Sequence, residues 1–218
     1  MRVYHFVNAG YGLQNIQRRR LKIATIEDLN DPFELRAMVL STAHKRWAIG
    51  EWRRDIASKV GLLCFSTSWR NPVQWSHYAH HHTGLCLGFD IPEKFLMPVT
   101  YQAKLHPDLI TPALNRAEMG EGAVLKLLST KYSHWRYERE IRMFMDLEVA
   151  QTEGALYFHP FDDEMRLTEV IIGAQCTIKR AALADALGDL AGEVATEKAR
   201  LAFRSFNVIR QRKADLWD

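Results

Sequence analysis

The chain has 218 residues, of which 47% are hydrophobic and 25% are charged, and its net charge is +3. These values are typical of a globular protein with a real core, and the length favours one domain spanning residues 1–218. No hydrophobic run approaches the roughly 20 residues that cross a bilayer, and no secretory leader is visible. We therefore expect a cytoplasmic protein without a membrane partner.

Three cysteines occur in the chain, Cys64, Cys86 and Cys176, and each lies in an apolar run. Their odd number and wide spacing indicate reduced, buried thiols. No Cys-x-x-Cys pair is present, so a structural zinc cluster is disfavoured.

The first quarter of the chain predicts one strand and two helices. "RVYHFV" (2–7) is β-branched and aromatic, which predicts a strand. Apolar spacing predicts a short helix running into an extended segment over 12–24. "LNDPFE" (29–34) predicts a turn, and 41–60 predicts a helix capped by Ser41 or Thr42.

Strands dominate the rest of the chain, with helices predicted at 107–131, in two pieces, and at 179–191, as the terminal helix. The predicted strands are 61–68, 84–91, 97–101, 139–147, 155–161 and 168–174. Because strands and helices do not alternate regularly, we expect an α+β fold, a single domain with a mostly antiparallel sheet flanked by helices.

The segment "YEREIRMFM" carries the clearest candidate for catalysis. If it is a strand, Glu138, Glu140 and Arg142 share one face, while Ile141 and Met143 point the other way to the core. One interpretation is an exposed face with a Glu–Arg pair. The other is a cleft whose carboxylate stabilises positive charge developing on a ribose.

Two further strands carry polar residues that suit a pocket. His5 lies on an apolar strand face, where it is either a hydrogen-bonded core residue or a pocket donor. Cys64, Ser66 and Ser68 share a face of the next strand, at its end. No Gly-x-Ser-x-Gly surrounds these serines, so a Ser–His–Asp hydrolase is disfavoured.

The histidine run in "QWSHYAHHHTG" (74–84) allows a metal site, since His77 and His81 have i, i+4 spacing. No Glu follows the first histidine and no third ligand is evident, so we expect no metal. The preferred interpretation is a helix or loop over a pocket, with Trp75 and Tyr78 packing. Glu34 is either a simple surface charge or part of the pocket rim.

Five motifs, in this order, resemble a bacterial family called domain of unknown function 2971. They are "VYHFV", "LNDPFELR", "LCFSTSWRNPVQWSHYAHHHTGLCLGFD", "HWRYEREIRMF" and "TEVIIGA". The resemblance covers most of the chain, but the family carries no assigned activity.

The order of parts also resembles the ADP-ribosyltransferase superfamily, through "YHF", the following helix, "FSTS" and "YERE". This resemblance implies a split sheet, NAD as the substrate, and transfer of ADP-ribose to a protein or nucleic acid, or hydrolysis of NAD. It implies that His5 (or Tyr4) holds the nicotinamide ribose and that Ser66 braces the strand beneath the nicotinamide. Glu140 would stabilise the cation and Glu138 would orient the acceptor. The residues predicted around NAD are His5, Tyr4, Ser66, Ser68, Tyr78 and Arg142.

A second hypothesis is a nucleic-acid-binding protein, non-enzymatic or nuclease-like. Basic clusters at 17–22, 44–54 and 210–213 could contact phosphates, while Trp47, Trp52 and Trp69 could stack on bases. NAD turnover discriminates between the two hypotheses, because a pure binding protein would leave NAD intact.

Overall fold

The computed structural model describes residues 1–107 and 121–217 of the chain. Strands take up much of this part. They are, in chain order, β1 (Arg2–Val7), β2 (Arg20–Ile23), β3 (Val60–Ser66), β4 (Leu85–Asp90), β5 (Met97–Pro98), β6 (Thr100–Gln102), β7 (Thr130–Tyr132), β8 (Glu140–Asp146), β9 (Gln151–Glu153), β10 (Leu156–Pro160), β11 (Arg166–Ile172), β12 (Ala195–Leu201) and β13 (Val208–Arg210).

Helices lie between these strands. The α-helices are α1 (Ala9–Gln17), α2 (Ala43–Ala57), α3 (Pro72–Tyr78), α4 (Glu121–Ser129) and α5 (Arg180–Leu187). Short 3₁₀ helices occur at Ile26–Asp28, Glu93–Phe95, Ser133–Glu138, Gly188–Gly192 and Ala214–Leu216.

Eight strands form one large sheet in the order β13-β12-β11-β4-β1-β3-β8-β5. Its neighbouring strands run antiparallel except β11 and β12, which are parallel and are joined through α5. A three-stranded sheet, β2-β10-β9, and a two-stranded sheet, β6-β7, complete the described architecture. The predicted α+β domain with a mainly antiparallel sheet and flanking helices is thus confirmed.

The large sheet is almost divided between β1 and β3. β1 pairs with β4 over six residues, and β3 pairs with β8 over seven. Across the part of the chain that the structure describes, β1 and β3 share one register pair, Tyr4 with Ser66. The sheet therefore opens beside this pair, and polar groups of both strands become available to other partners.

The hydrophobic core lies on both faces of the large sheet. The largest buried cluster includes Val3, Leu87 and Phe89 and extends to α1 and α5. A second cluster joins α2 and α4 to β3 through residues such as Trp52 and Leu62. Because both faces are covered, the strands are near-continuous apolar runs rather than simple alternating ones.

Several predicted elements differ from the observed ones at their ends. The helix predicted near Ser41 begins at Ala43, with the Thr42 hydroxyl accepting from the backbone N–H of Lys45 at 3.1 Å. Over 12–24, where a short helix running into an extended segment was predicted, α1 begins earlier, at Ala9, and ends at Gln17, and Arg19, with φ of 53°, turns the chain into β2. Of the two helical pieces predicted in 107–131, the second is α4, and residues 108–120 lie outside the described residues.

The prediction that a helix ends the fold is wrong. Two strands follow α5, β12 and β13, and they form the edge of the large sheet. β13 is the edge strand, and β12 pairs with strands on both sides. The charged residues in the β12 sequence ATEKARL hide the apolar alternation of a strand. In the described ranges, no helix has the length and apolar character needed to span a bilayer.

Candidate functional site

A pocket lies where β1 and β3 separate. Its volume is about 220 Å³. The lining includes six of the side chains that the sequence singled out: Tyr4, His5, Ser66, Tyr78, Glu138 and Glu140. Two other predicted residues, Ser68 and Arg142, do not reach it. The fold thus gathers residues from β1, β3, α3 and β8 at one opening.

His5 occupies the gap between the separated strands. Its Nδ1 lies 3.1 Å from the carbonyl oxygen of Cys64 on β3. Because a carbonyl only accepts, Nδ1 carries the proton, and Nε2 is left as an acceptor while the ring is neutral. Burial lowers the pKa of His5, which favours this neutral form. His5 is therefore both hydrogen-bonded and part of the pocket, and its free nitrogen accepts rather than donates.

Ser66 ends β3 and shapes the turn that follows. Its hydroxyl donates to the carbonyl of Ser68 at 2.9 Å and accepts from the Ser68 N–H at 3.1 Å. Ser66 is 3% exposed. Ser68 lies beyond the strand, where its hydroxyl accepts from the Arg70 N–H at 3.3 Å. Ser68, which was predicted to contact NAD, is therefore not part of the pocket lining, because the chain turns away after Ser66.

The carboxylates of Glu138 and Glu140 come together, but not on one face of a single strand as predicted. Glu138 is the last residue of a 3₁₀ helix, not of a strand, and Arg139 adopts φ of 46° before β8 begins at Glu140. The side chains meet at Lys131 on β7. Its ammonium group donates to Glu138 at 2.6 Å and to Glu140 at 2.9 Å. Lys131 thus lies between two buried carboxylates.

Arg142 binds the Glu140 carboxylate on the side away from the pocket. Its Nε donates to Glu140 Oε1 at 2.8 Å and its Nη2 to Oε2 at 3.3 Å. With the contact from Lys131, three N–H donors serve the two oxygens of Glu140. The Cys64 thiol is a further hydrogen-bond partner of this carboxylate, so its roughly four acceptor positions are taken up within the protein.

Burial and neighbouring charges shift the pKa values of the two carboxylates in opposite directions. For Glu140, burial opposes ionisation, but the charges of Arg142 and Lys131 outweigh it and lower the pKa to about 2. For Glu138, burial dominates over the attraction of Lys131 and raises the pKa. Glu140 is therefore the permanently ionised group and Glu138 the one better suited to exchange a proton.

Arg142 and Glu34 form the inner part of the same network. The Arg142 guanidinium is fully buried and pairs with Glu34 through contacts of 2.7 and 3.0 Å. Arg142, which was predicted to contact NAD, is not part of the pocket lining, because it lies behind Glu140. Glu34, 1% exposed, is neither a surface charge nor a rim residue. The ion pair between Glu34 and Arg142 instead anchors β8, the strand that carries Glu140.

Helix α3 closes the pocket from another side. Asn71 caps it by accepting from the Val73 N–H at 2.8 Å, and Gln74 donates to the carbonyl of Glu138 at 2.7 Å. The Tyr78 hydroxyl donates to Glu138 and accepts from Asn30 at 2.6 Å. Burial, followed by the bond to Glu138, raises the pKa of Tyr78, so it stays protonated as a donor.

The charges of this network do not balance. Three carboxylates, Glu34, Glu138 and Glu140, share two cations, Lys131 and Arg142. When all five are ionised, the network carries one negative charge beside the pocket. A buried net charge is costly, so either Glu138 takes a proton or a positively charged group is favoured nearby.

Sequence reasoning missed three members of the site. Lys131 is the last residue of the segment predicted as helical, and Gln74 was not singled out within 74–84. Tyr101 lies in a short strand, where its hydroxyl accepts from the Glu140 N–H at 2.7 Å. A lysine between apolar runs in "LLSTKY" is one weak signal for burial, but nothing local predicts its partners.

The alternative sites are a metal site in the histidine run and a set of tryptophans that stack on bases. Among the described residues, no group of three or more His, Cys, Asp or Glu is placed to hold a metal. His80, His81 and His82 all adopt positive φ in the turn after α3. Trp52 and Trp69 are buried at 7% and 5% exposure, which removes two of the three tryptophans proposed for base stacking.

Comparison with curated proteins and with solved structures gives no match. One family model, described as protein of unknown function (DUF2971), matches residues 74–143. The matched segment begins at Gln74 in α3 and ends just after Arg142, so it contains Tyr78, Lys131 and both carboxylates. The match supports the resemblance to domain of unknown function 2971 over residues 74–143.

Proposed function

We propose that the pocket cleaves the glycosidic bond between nicotinamide and ribose in NAD, as an ADP-ribosyltransferase-like enzyme or an NAD glycohydrolase. One observation carries the proposal. His5, Ser66 and Glu140 line a single pocket at the opening between β1 and β3. These are the strands and the order that the resemblance to the ADP-ribosyltransferase superfamily implies.

The reaction that we propose needs an ionised carboxylate more than it needs a proton donor. The bond from ribose C1′ to the pyridinium nitrogen breaks, and its electron pair leaves with neutral nicotinamide. Positive charge then develops on the ribose, next to Glu140, whose pKa of about 2 keeps it ionised. Water or an acceptor hydroxyl or amine forms the new bond to C1′ and releases one proton.

Other pocket residues suit defined roles in this reaction. The free Nε2 of His5 can accept from a ribose hydroxyl, and the charge of Glu140, which lines the same pocket, can act on the ribose. Glu138 can orient the incoming nucleophile and receive its proton. The net negative charge of the network favours both the cationic nicotinamide ring of NAD and the cation that follows.

The pocket matches only one end of the dinucleotide. Its volume of about 220 Å³ is below the roughly 300–1,000 Å³ of sites that enclose drug-sized ligands. The nicotinamide and its ribose would therefore be enclosed, with the rest of NAD lying outside. The protein or nucleic-acid acceptor would approach the same mouth.

The test is release of nicotinamide from NAD, measured by chromatography, for the unmodified chain and for Glu140→Gln. We expect the rate to fall about 10²–10³-fold, since a preorganised charge acts chiefly on the transition state. NAD affinity, measured by calorimetry, should change far less. Folding should survive, because Glu34 and an ionised Glu138 would then balance Arg142 and Lys131.

Glu148→Gln is the matched control, since Glu148 is exposed and lies beyond β8. It should leave the rate unchanged. If the unmodified chain consumes no NAD with any protein or nucleic-acid acceptor offered, or if Glu140→Gln is as fast, the proposal is wrong.

A further inference from the structure

The hairpin formed by β12 and β13 ends in an unusual surface. Phe203 and Phe206, in the loop between the strands, are 92% and 97% exposed. Leu201 beside them is 51% exposed. Large aromatic side chains normally supply core area, so two nearly bare rings on one loop indicate a contact surface.

The same hairpin is strongly basic. Residues 198–213 contain six lysines and arginines and no aspartate or glutamate. Arg210 is neutralised by Glu169, at 2.6 Å. Arg204, Arg212 and Lys213 form no ion pair with any residue in the described ranges. The arginine nearest the first ring, Arg200, lies over Phe203 at 4.9 Å from its centroid.

This combination distinguishes the hairpin from the other basic segments. Helix α2 carries acidic residues beside its cations: Glu51 pairs with Arg54, and Asp55 pairs with Lys59, just after the helix, at 2.7 Å. The exposed ring of α2, Trp47, packs against His44 with centroids 5.9 Å apart. The hairpin instead joins exposed rings to cations without ion pairs in its loop and just after β13.

The hairpin is also firmly attached to the rest of the fold. The N–H of Val208 donates to the carbonyl of Arg70 at 2.9 Å. Val208, Ala199 and Trp69 belong to one buried cluster with Trp75 of α3. The exposed rings therefore project from a rigid base.

We propose that this hairpin binds single-stranded nucleic acid. Phe203 and Phe206 stack on successive bases, which every base permits because each has a flat face. Arg204, Arg212 and Lys213 contact the phosphates. An anionic polymer fits this surface because its charge complements a segment without acidic residues, while its bases cover the rings.

This proposal does not depend on the cleavage of NAD. In the large sheet β13 lies four strands from β1 and β12 lies three, and no residue of either strand or of their loop lines the pocket. A strand bound at the hairpin can extend toward the pocket along the loop containing Arg70. The two proposals can therefore fail separately.

The test is fluorescence anisotropy with labelled 12-nucleotide oligouridine and oligothymidine, over a range of NaCl concentrations and without NAD. The double variant Phe203→Ala/Phe206→Ala should weaken binding at least about 25-fold, since one stacking contact is worth roughly fivefold or more. Tyr11→Ala is the matched control, because Tyr11 is also exposed, at 64%, but lies on α1. It should bind as the unmodified chain does.

The charges are tested by Arg204→Gln/Arg212→Gln. The slope of log affinity against log salt should decrease in magnitude by about 1.4, since each single-strand phosphate contact contributes about 0.7. Arg36→Gln/Lys104→Gln removes the same charge elsewhere and should leave the slope unchanged.

Three results would overturn the proposal. The first is no binding of either oligonucleotide, and the second is equal loss in the control variants. The third is binding to a partner of another kind, if the double phenylalanine variant abolishes that binding. Vesicles of phosphatidylserine and phosphatidylcholine, and sedimentation of the chain alone, test for a membrane and for a second copy.

Discussion

The pocket between β1 and β3 and the β12–β13 hairpin both concentrate charge, but they do so in opposite ways. In the pocket network, Glu34, Glu138 and Glu140 are buried and each contacts a buried cation. In the hairpin, arginines are exposed and largely unpaired. Burial makes charge costly unless it is paired, whereas water solvates the hairpin cations and leaves them free to bind.

This difference has consequences for stability as well as for function. The pocket network contributes to folding because each member would be left uncompensated without its partners. The hairpin tip contributes little, because its side chains contact mainly solvent. Substitutions at the two places should therefore separate loss of stability from loss of binding.

The largest effect is expected for Arg142→Met. Methionine fills similar space but leaves Glu34 and Glu140 buried without their main cation. Such a loss costs about 3–5 kcal/mol of unfolding free energy. Urea denaturation measures it. Arg166→Met, at an exposed position on β11, should change the value by less than about 0.5 kcal/mol. A loss below about 1 kcal/mol for Arg142→Met would show that the network is not structural.

The next largest effect is a loss of stability as the pH falls. The pKa of Glu140 is about 2 when folded and near 4.5 when unfolded. A lowered pKa contributes stability that is complete above the unfolded value and is lost as pH falls from about 4.5 to 2. The difference corresponds to about 3 kcal/mol. Glu138, whose pKa is raised, acts in the opposite direction and offsets part of the loss.

Denaturation of the unmodified chain and of Glu140→Gln between pH 2 and 6 measures this contribution. The variant should show a shallower decline. Arg204→Gln/Arg212→Gln should decline as the unmodified chain does, because those groups do not titrate in this range. Equal slopes for all three proteins would contradict the depressed pKa of Glu140.

The smallest effect is expected at the hairpin. Phe203→Ala/Phe206→Ala should change the unfolding free energy by no more than about 0.5 kcal/mol, since these rings bury almost no area in the folded chain. Phe89→Ala, at a fully buried ring, should cost about 3–5 kcal/mol in the same assay. A large loss in the hairpin variant would mean that the rings support the fold.

Local sequence determined the main elements of this protein. Apolar runs and turn residues predicted β1, β3, β4, β8 and β11, and Thr42 marked the start of α2. These signals are local, because a strand or a capped helix is selected by neighbours in the chain. The same reasoning gave an α+β fold, and the resemblance to the ADP-ribosyltransferase superfamily then selected His5, Ser66 and Glu140.

Only the tertiary structure decided how those residues meet. The strand assigned to Glu138 is a 3₁₀ turn, and the left-handed Arg139 returns both carboxylates to one point. Lys131 and Glu34 join the site through contacts that span 7 and 108 positions from Glu138 and Arg142, respectively. β12, with its charged sequence, becomes a strand because β11 offers a free edge. Long-range pairing and burial, which no local pattern contains, fixed these outcomes.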